Sequence, residues 1–585
     1  MSIARESTLF KQVNYNLSKL ILDIKQGEIG LPDIQRPFVW NSAKVRDLFD
    51  SMYKGFPVGY LLFWANGGSG IGRQIGLDKK QRAIPRLLIV DGQQRLTSLY
   101  AVLKNIPVKN HDYTDQYISI AFRPNDGTFE VSDAAIKKDP EYITNISELW
   151  SGNIPRTRFV RDFIEKLRKH RGSMSEEEEY GLTESIDRLF DLQAYPFTAL
   201  ELSSSIDEEH VAEVFVRINS QGVTLNVADF ILTLMSVFWD DGRSQLEKFC
   251  ESSRHPPVNG KPSSFNYFIQ PEPDEMLRVC IALGFRRARL KYGYSLLRGK
   301  NLETEKFDDE LRVKQFDILQ DSQAYVLDLK NWHEFLKALL RAGYRSNSMI
   351  TSKSALLYSY AMFLIGQRDF KVEHNELRKI ISRWFFMTSV TGRYSGSTES
   401  AMESDLAKLR NATNGKEFVN ILHEIIDDTL TEDFWNITLP NDLATISARS
   451  PSLFAHDAAL NILGAHVLFS SIKVSELMDP ALKSTRAAIE RHHLFPRKYL
   501  ERIGISENKD INQIANFALI EWPDNSDISD LPPKEYFKRY SSKISDDMMY
   551  WHALPSGWEK MNYSEFLTSR RKAIATVVRD AFRRL

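Results

Sequence analysis

Two adjacent histidines near the C-terminus carry the clearest catalytic chemistry of the sequence. His492 and His493 stand in the run Glu490-Arg491-His492-His493-Leu494-Phe495-Pro496. Because neighbouring side chains of an extended backbone point to opposite sides, one imidazole can bind a metal ion while the other faces a substrate. The alternative is a purely structural histidine pair, but the following proline and the spaced asparagines favour catalysis.

Polar residues downstream complete the pattern of a strand–strand–helix metal hairpin. Asn516 precedes the apolar run Phe517-Ala518-Leu519-Ile520, and Asn525 follows Trp522-Pro523-Asp524. We expect His492 and Asn525 to bind one divalent cation. We expect His493 to be the base that activates water, and Asn516 to orient it.

A second polar cluster is Asp91-Gly92-Gln93-Gln94-Arg95, in the N-terminal third. The apolar run before it predicts a buried strand, and Leu96, Leu99 and Leu103 predict a helix after it. An acid at a strand end, a glycine that lets the backbone come close, and amides at a helix N-terminus together suit a phosphate group. The alternative is a structural corner in which Gln93, Gln94 and Arg95 only cap and solvate the turn.

Three other stretches carry polar residues that could contact a nucleotide or DNA through phosphate binding or base stacking. They contain Gln35 and Arg36; Arg217, Asn219 and Asp229; and Arg393 and Tyr394. Each also has a structural interpretation, respectively core packing, a helix-turn-helix hairpin and an interhelical loop. The basic helix predicted from Tyr563 to Leu585 could contact a duplex backbone or be a solvated surface helix.

Length and composition limit the class of protein. The 585 residues predict two to four domains, and a net charge of -1 gives no global attraction to nucleic acid. Two cysteines exclude a four-cysteine zinc site and favour a reducing cytoplasm. Neither a secretory signal nor an apolar run of about 18 residues occurs, so we expect a cytoplasmic protein with no membrane partner. No P-loop motif is present, so any nucleoside triphosphate is bound in another way.

Taken together, the chain resembles the GmrSD family of modification-dependent, type IV restriction endonucleases. The resemblance rests on Asp91 to Arg95, Gln35 to Trp40, Phe215 to Asn219 with Gly222, Leu225 and Asp229, Gly392 to Gly396, and His493 to Pro496. It implies an α+β, predominantly helical protein. It also implies three regions: a ParB/sulfiredoxin-like α/β module in residues 1–238, a helical region in 239–440, and an HNH-type ββα-metal nuclease domain in 441–585.

The resemblance also implies how the two clusters work. The N-terminal module would bind and hydrolyse GTP, UTP or ATP with Asp91, Gln93, Gln94 and Arg95, and help to sense modified DNA. The HNH domain would use Mg or Mn, with His493 as general base. His492 stands where many HNH sequences have Asp, which leaves the preferred metal open. Asp524 and Asp527 are alternatives to Asn525 as the distal ligand.

The resulting prediction is an endonuclease of phage defence that cuts modified double-stranded phage DNA, with a homodimer left open. The alternative is a nucleotide-gated DNA-binding regulator whose HNH-like domain is not catalytic. A third, weaker hypothesis is a toxin-like nuclease that acts on RNA or on the host genome.

Overall fold

A computed structural model describes most of the chain and divides it into two compact units, Met1–Arg243 and Ser244–Leu585. The described residues are 9–30, 40–65, 86–110, 114–150, 154–204, 206, 211, 214, 227–228, 231–232, 235, 239–257, 260–301, 304, 308–481 and 489–585.

The first unit contains a five-stranded mixed sheet. Strand β1 (Phe10–Asn16) pairs antiparallel with β9 (Pro196–Leu202), which runs parallel to β3 (Leu61–Ala65). Strand β3 pairs antiparallel with β4 (Leu87–Asp91), and β4 runs parallel to β2 (Ile29–Gly30). The order across the sheet is therefore β1-β9-β3-β4-β2. The carboxyl end of β4 carries Asp91, as the sequence predicts.

Helices cover one face of this sheet through a large apolar cluster that includes Leu20, Phe49, Phe63, Leu99 and Ile186. The helices are α1 (Leu17–Gln26), α2 (Ser42–Tyr53), α3 (Gln93–Lys104), α4 (Ser147–Trp150), α5 (Arg156–Arg171) and α6 (Glu176–Phe190). Two small antiparallel pairs join β5 (Val108–Lys109) to β6 (Asp115–Gln116) and β7 (Ile120–Arg123) to β8 (Thr128–Val131). Short 3-10 turns span Ile136–Lys138 and Asp191–Ala194.

The larger part of the second unit is helical. Its helices are α7 (Asp240–Ser252, which begins just before the unit boundary), α8 (Pro273–Phe285), α9 (Leu290–Leu297), α10 (Asp309–Val326), α11 (Leu329–Arg341), α12 (Lys353–Arg368), α13 (His374–Val390), α14 (Thr398–Lys408), α15 (Gly415–Thr429), α16 (Leu439–Asp442), α17 (Pro451–Leu463) and α18 (Val474–Leu477). Shorter turns span Asn347–Met349, Leu409–Asn411 and, as a π-helix, Phe434–Thr438. The apolar spacing of α11 predicts its buried side, and Trp332, Phe335 and Leu339 are indeed fully buried.

The C-terminal part of the same unit is built around a β-hairpin. Strand β10 (Ile489–His493) pairs antiparallel with β11 (Phe517–Glu521), and helices α19 (Arg497–Arg502) and α20 (Asn508–Ile511) lie in the connection. Four helices follow: α21 (Trp522–Ile528), α22 (Pro533–Tyr540), α23 (Asp546–Trp551) and α24 (Tyr563–Arg583). Short turns span Ile514–Asn516, Ser541–Lys543 and Trp558–Lys560.

The structure confirms an α+β, predominantly helical protein with a small mixed sheet. The ParB/sulfiredoxin-like and HNH identities of the two ends, and the domain boundaries predicted from the sequence, stay predictions. Across the described residues, no helix has both the length and the apolarity that crossing a membrane would require.

Candidate functional site

The β10–β11 hairpin sorts its side chains onto two faces. His492 pairs with Ala518 and His493 with Phe517 in the antiparallel register. Since side chains alternate along a strand, Glu490 and His492 lie on one face, and Arg491 and His493 on the other. Helix α21 follows β11 directly and packs against both strands. The order strand, strand, helix therefore agrees with the hairpin that the sequence predicts.

The first face joins His492 to Asn525. The Asn525 amide nitrogen donates to Glu490 Oε2 at 2.6 Å, so its oxygen faces His492 and accepts from Nδ1 at 2.7 Å. His492 is 3% exposed, and burial lowers its pKa to about 4, which keeps the imidazole neutral near pH 7. In the part of the chain that the structure describes, its Nε2 has no hydrogen-bond partner.

His492 and Asn525 are ligand types that a divalent cation accepts, but here they bond to each other, and the free lone pair of His492 is on the buried Nε2, which points away from Asn525. A neutral imidazole and an amide oxygen are both suitable ligands, and the Glu490 carboxylate lies beside them. No cluster of three or more His, Cys, Asp or Glu that could hold a metal occurs among the described residues. Oxygen atoms of water or substrate would therefore have to supply the remaining ligands of a cation.

The structure brings Asn525, rather than its acidic neighbours, to His492. Asp527 accepts a hydrogen bond from the Tyr540 hydroxyl at 3.0 Å, and Asp524 lies 3.6 Å from the Lys543 amine. Both carboxylates thus have partners elsewhere, whereas Asn525 is bonded to His492 directly.

The second face carries His493, whose Nε2 lies 2.9 Å from Asn512 Oδ1. With the amide oxygen as acceptor, Nε2 carries the proton and Nδ1 keeps a lone pair that can accept one. Burial is the largest cause of a lowered His493 pKa, and the positive charge of Arg497 lowers it further, while the hydrogen bond to Asn512 raises it. A neutral imidazole held in this way is suited to act as a general base.

Asn512 takes the position for which the sequence predicts Asn516. Asn516 is fully buried, and its side chain accepts from the Phe495 amide at 2.9 Å and donates to the carbonyls of Phe495 and Ile511. It therefore holds the backbone after His493 rather than the imidazole. The Asn-x-x-x-Asn spacing was the available signal for Asn512, but it does not say which asparagine reaches the ring.

A cleft of about 270 Å³ adjoins the His493 face. It is lined by Ile446, Leu453, Arg491, Asn512, Ile514 and Phe517, with Ser447 and Ala448 at its edge. Phe517 also packs on the His493 ring, with the ring centroids 4.4 Å apart. The cleft therefore adjoins the groups that hold the predicted base.

The predicted basic helix, α24, uses part of its charge inside the protein. Arg570 is fully buried and donates to the backbone carbonyls of His552 and Ala515. Arg571 donates to Gln513 and Arg579 pairs with Glu432. The exposed surface of α24 is thus less basic than its sequence indicates. Arg570 is buried and bonds the helix to the backbone just before β11.

The N-terminal cluster is the strand–turn–helix corner that the sequence predicts. Strand β4 ends at Asp91, Gly92 has φ 93°, and α3 begins at Gln93. The Arg95 guanidinium donates to the carbonyls of Val58 and Tyr60 at 2.6 and 2.8 Å and to Asp91 Oδ2 at 3.1 Å. Arg95 thus ties the segment before β3 to the turn, which makes it a positioning residue.

Other features at this corner are suited to binding. Within the described part of the chain, no side chain caps the start of α3 and the buried Gln94 Oε1 has no hydrogen-bond partner. The segment held by Arg95 presents Phe56 and Tyr60, which are 59% and 58% exposed. Sequence reasoning missed these two aromatic residues, since nothing local in the sequence distinguishes them from core residues.

Of the remaining predicted binding residues, Arg393 and Tyr394 are described by the structure, and both bond to a buried acid. The Arg393 guanidinium makes two hydrogen bonds to the fully buried Asp405, and the Tyr394 hydroxyl donates to the same carboxylate at 2.6 Å. Tyr394 is 1% exposed, so this pair stabilises the loop between α13 and α14 instead of presenting a nucleotide-binding surface. Outside the described residues lie Gln35, Arg36, Arg217, Asn219 and Asp229.

Comparison with known proteins supports the resemblance for the N-terminal part. Residues 17–236 match the family model described as the N-terminal domain of GmrSD restriction endonuclease. An uncharacterized protein of Methanocaldococcus jannaschii is 24% identical over 557 residues, covering 89% of this chain and 86% of that protein. The family match includes the Asp91 corner and ends before the β10–β11 hairpin.

Proposed function

We propose that this protein is a restriction-type DNA endonuclease that cuts modified DNA in phage defence. The observation that carries this proposal is the neutral His493, held by Asn512 on a hairpin whose other face joins His492 to Asn525. The GmrSD match of residues 17–236 gives independent support for a restriction endonuclease. In this proposal the hairpin is an HNH-type site, and double-stranded DNA is the substrate.

His493 is the general base of the proposed hydrolysis. Its Nδ1 accepts a proton from a water molecule as the water oxygen bonds to phosphorus, and the bond from phosphorus to the leaving sugar oxygen breaks. Asn512 keeps the ring in the tautomer that leaves Nδ1 unprotonated. His492 and Asn525 would hold Mg or Mn once the hydrogen bond between them opens, and the metal would supply charge neutralisation at the phosphate.

The Asp91 corner is the proposed site of nucleoside triphosphate binding and hydrolysis. The amides of the first turn of α3 can donate to phosphate oxygens, and the Gln94 Oε1 atom can accept a hydrogen bond from a bound water. Asp91 and Gln93 lie beside them, and Arg95 fixes the turn. Phe56 and Tyr60 offer exposed rings for a base.

One experiment separates the two proposed activities. Plasmid cleavage and nucleotide hydrolysis are measured with Mg or Mn on unmodified DNA and on phage DNA that carries hydroxymethyl or glucosyl groups. His493→Ala should reduce cleavage at least 1,000-fold and leave nucleotide hydrolysis near the wild-type rate. Asp91→Asn should reduce nucleotide hydrolysis at least tenfold. His170→Ala, at an exposed position of α5, is the matched control and should change neither rate.

The outcomes discriminate between the hypotheses. Cleavage of one modified DNA that disappears in His493→Ala supports the restriction enzyme and identifies its substrate. Unchanged cleavage by His493→Ala removes the proposed base. Nucleotide hydrolysis and DNA binding without any cleavage would favour a nucleotide-gated regulator instead.

A further inference from the structure

We infer that the cleft beside His493 binds one nucleotide unit of the nucleic-acid strand, with a phosphate on the Arg491 guanidinium. This inference rests on the proposed nuclease function and extends it to a subsite next to the hairpin. Its first support is the strand alternation, because Arg491 is two residues before His493 and shares its face of β10.

Arg491 is held in place by a buried acid from another element. Its Nη2 donates to Asp457 Oδ2 at 2.9 Å, and Asp457, on α17, is 2% exposed. That hydrogen bond uses one of the five N–H donors of a guanidinium. The Arg491 side chain is 36% exposed and lines the cleft, so its orientation is fixed while part of it stays accessible.

The cleft has the size and lining of a site for a single nucleotide unit. Its volume of about 270 Å³ is near the lower end of ligand clefts, which begin at roughly 300 Å³. Leu453, Ile514 and Phe517 give it apolar walls that suit a sugar or a base, and Asn512 adds an amide. A duplex cannot enter such a space, so the unit that binds there has to be unpaired from the complementary strand.

The charges around the cleft favour an anion. Among the described residues that line it, Arg491 supplies a positive charge and none is acidic, while Asp457 behind Arg491 offsets part of that charge. Arg571 lies close by, since it donates to Gln513, the neighbour of Asn512. A guanidinium that is already oriented can bind phosphate through several parallel hydrogen bonds, which a lysine cannot reproduce.

The test measures binding without cleavage, in the full-length chain carrying His493→Ala. Fluorescence anisotropy with short single- and double-stranded DNA gives the Kd between 50 and 200 mM salt. Adding Arg491→Gln should weaken binding about tenfold and reduce the slope of log K against log salt by roughly 0.7–0.9, the effect of one lost phosphate contact. Arg491→Lys should recover the slope but only part of the affinity.

Asp457→Asn tests whether the acid positions Arg491. Removing a negative charge should by itself tighten DNA binding. Binding that is about threefold weaker is therefore expected only if Asp457 orients the guanidinium.

Arg502→Gln is the matched control for Arg491→Gln, because Arg502 is an exposed arginine of the same unit that pairs with Asp530 and does not line the cleft. Thermal unfolding checks that each variant is folded.

The failure of this inference is distinguishable from the failure of the proposed function. If the wild type cuts DNA and His493→Ala does not, while folded Arg491→Gln keeps both affinity and salt slope, the subsite is refuted and the nuclease stands. The same titrations use DNA with and without hydroxymethyl or glucosyl groups. If the His493→Ala protein binds neither kind of DNA at any salt concentration, both are refuted.

Discussion

Asn512 and Asn516 have the same side chain and lie four residues apart, but they act on different groups. Asn512 accepts a hydrogen bond from the His493 ring, whereas Asn516 bonds to the backbone of Phe495 and Ile511. Asn512 is half-buried and Asn516 is fully buried. Asn512 should therefore affect the chemistry of the His493 imidazole, and Asn516 the stability of the connection between β10 and β11.

Replacing each asparagine by alanine should separate these effects. In Asn512→Ala the His493 pKa should fall further, because the lost hydrogen bond raises it in the wild type. A base must be unprotonated, so the acid limb of kcat/KM against pH should move to lower pH, with kcat reduced about tenfold. Asn516→Ala should instead lower the free energy of unfolding by about 2–3 kcal/mol, because it leaves buried backbone groups without partners.

The measurements are the pH dependence of DNA cleavage and urea unfolding for both variants. An unchanged acid limb in Asn512→Ala would show that its hydrogen bond does not tune His493. An unfolding free energy equal to the wild type in Asn516→Ala would contradict the assigned role of the buried amide.

The sequence predicts the chemical role of a single residue better than it predicts which residue that side chain bonds to. The sequence predicts His492 and Asn525 as joint metal ligands, with Asp524 and Asp527 as alternatives to Asn525, and the structure brings His492 and Asn525 together. The partner of His493 depends on how a connection of more than twenty residues folds between β10 and β11. Spacing alone does not determine that path, so it could not select Asn512 over Asn516.

At the scale of elements, the corner between β4 and α3 depends on Gly92. Its φ of 93° is a conformation that side chains rarely adopt. A Cβ there would lie 2.4 Å from Leu61 Cδ2, a buried atom of the neighbouring strand β3. Both the turn and the close packing of the two strands therefore require glycine.

Gly92→Ala should lower the free energy of unfolding of the first unit by about 2–4 kcal/mol, through backbone strain and overpacking. Gly181→Ala is the matched control: Gly181 is an exposed residue inside α6, and an added Cβ meets nothing within 4 Å. It should be neutral or stabilise by about 0.5–1 kcal/mol. Urea unfolding, monitored by amide hydrogen exchange in the first unit, measures the free energy of unfolding of both variants. Equal stabilities of the two variants would refute the argument.

The same corner shows what can be predicted about elements. The apolar run before Asp91 and the leucine spacing after it are local signals, and they predict the strand and the helix correctly. The order of the sheet is not local, since Phe10 of β1 pairs with Leu202 of β9. No short-range pattern encodes that pairing, because most of the first unit separates the two strands in the sequence.

At the scale of the whole molecule, three histidines that are nearly or fully buried lie in the C-terminal part of the second unit. His456, His492 and His552 are 5%, 3% and 0% exposed. Burial is the main cause that lowers the pKa of His456 to about 3 and the pKa values of His492 and His552 to about 4. The folded protein therefore keeps all three neutral under mildly acidic conditions.

This burial predicts that the second unit loses stability on mild acidification. The unfolded chain protonates these histidines below about pH 6.5, whereas the folded chain does not until about pH 4 or lower. The free energy of unfolding is therefore unaffected by these histidines well above pH 6.5 and falls as the pH drops toward 4. The loss is about 1 kcal/mol for each histidine at pH 5.5. Urea unfolding at pH 7.5 and 5.5 measures this difference, and His255→Gln should leave it unchanged because His255 is an exposed histidine of the same unit. Burial also raises the pKa of Asp457 in the same unit, which favours the folded protein on acidification, so the comparison is repeated in Asp457→Asn. A second unit that is equally stable at both pH values in that variant would contradict the prediction.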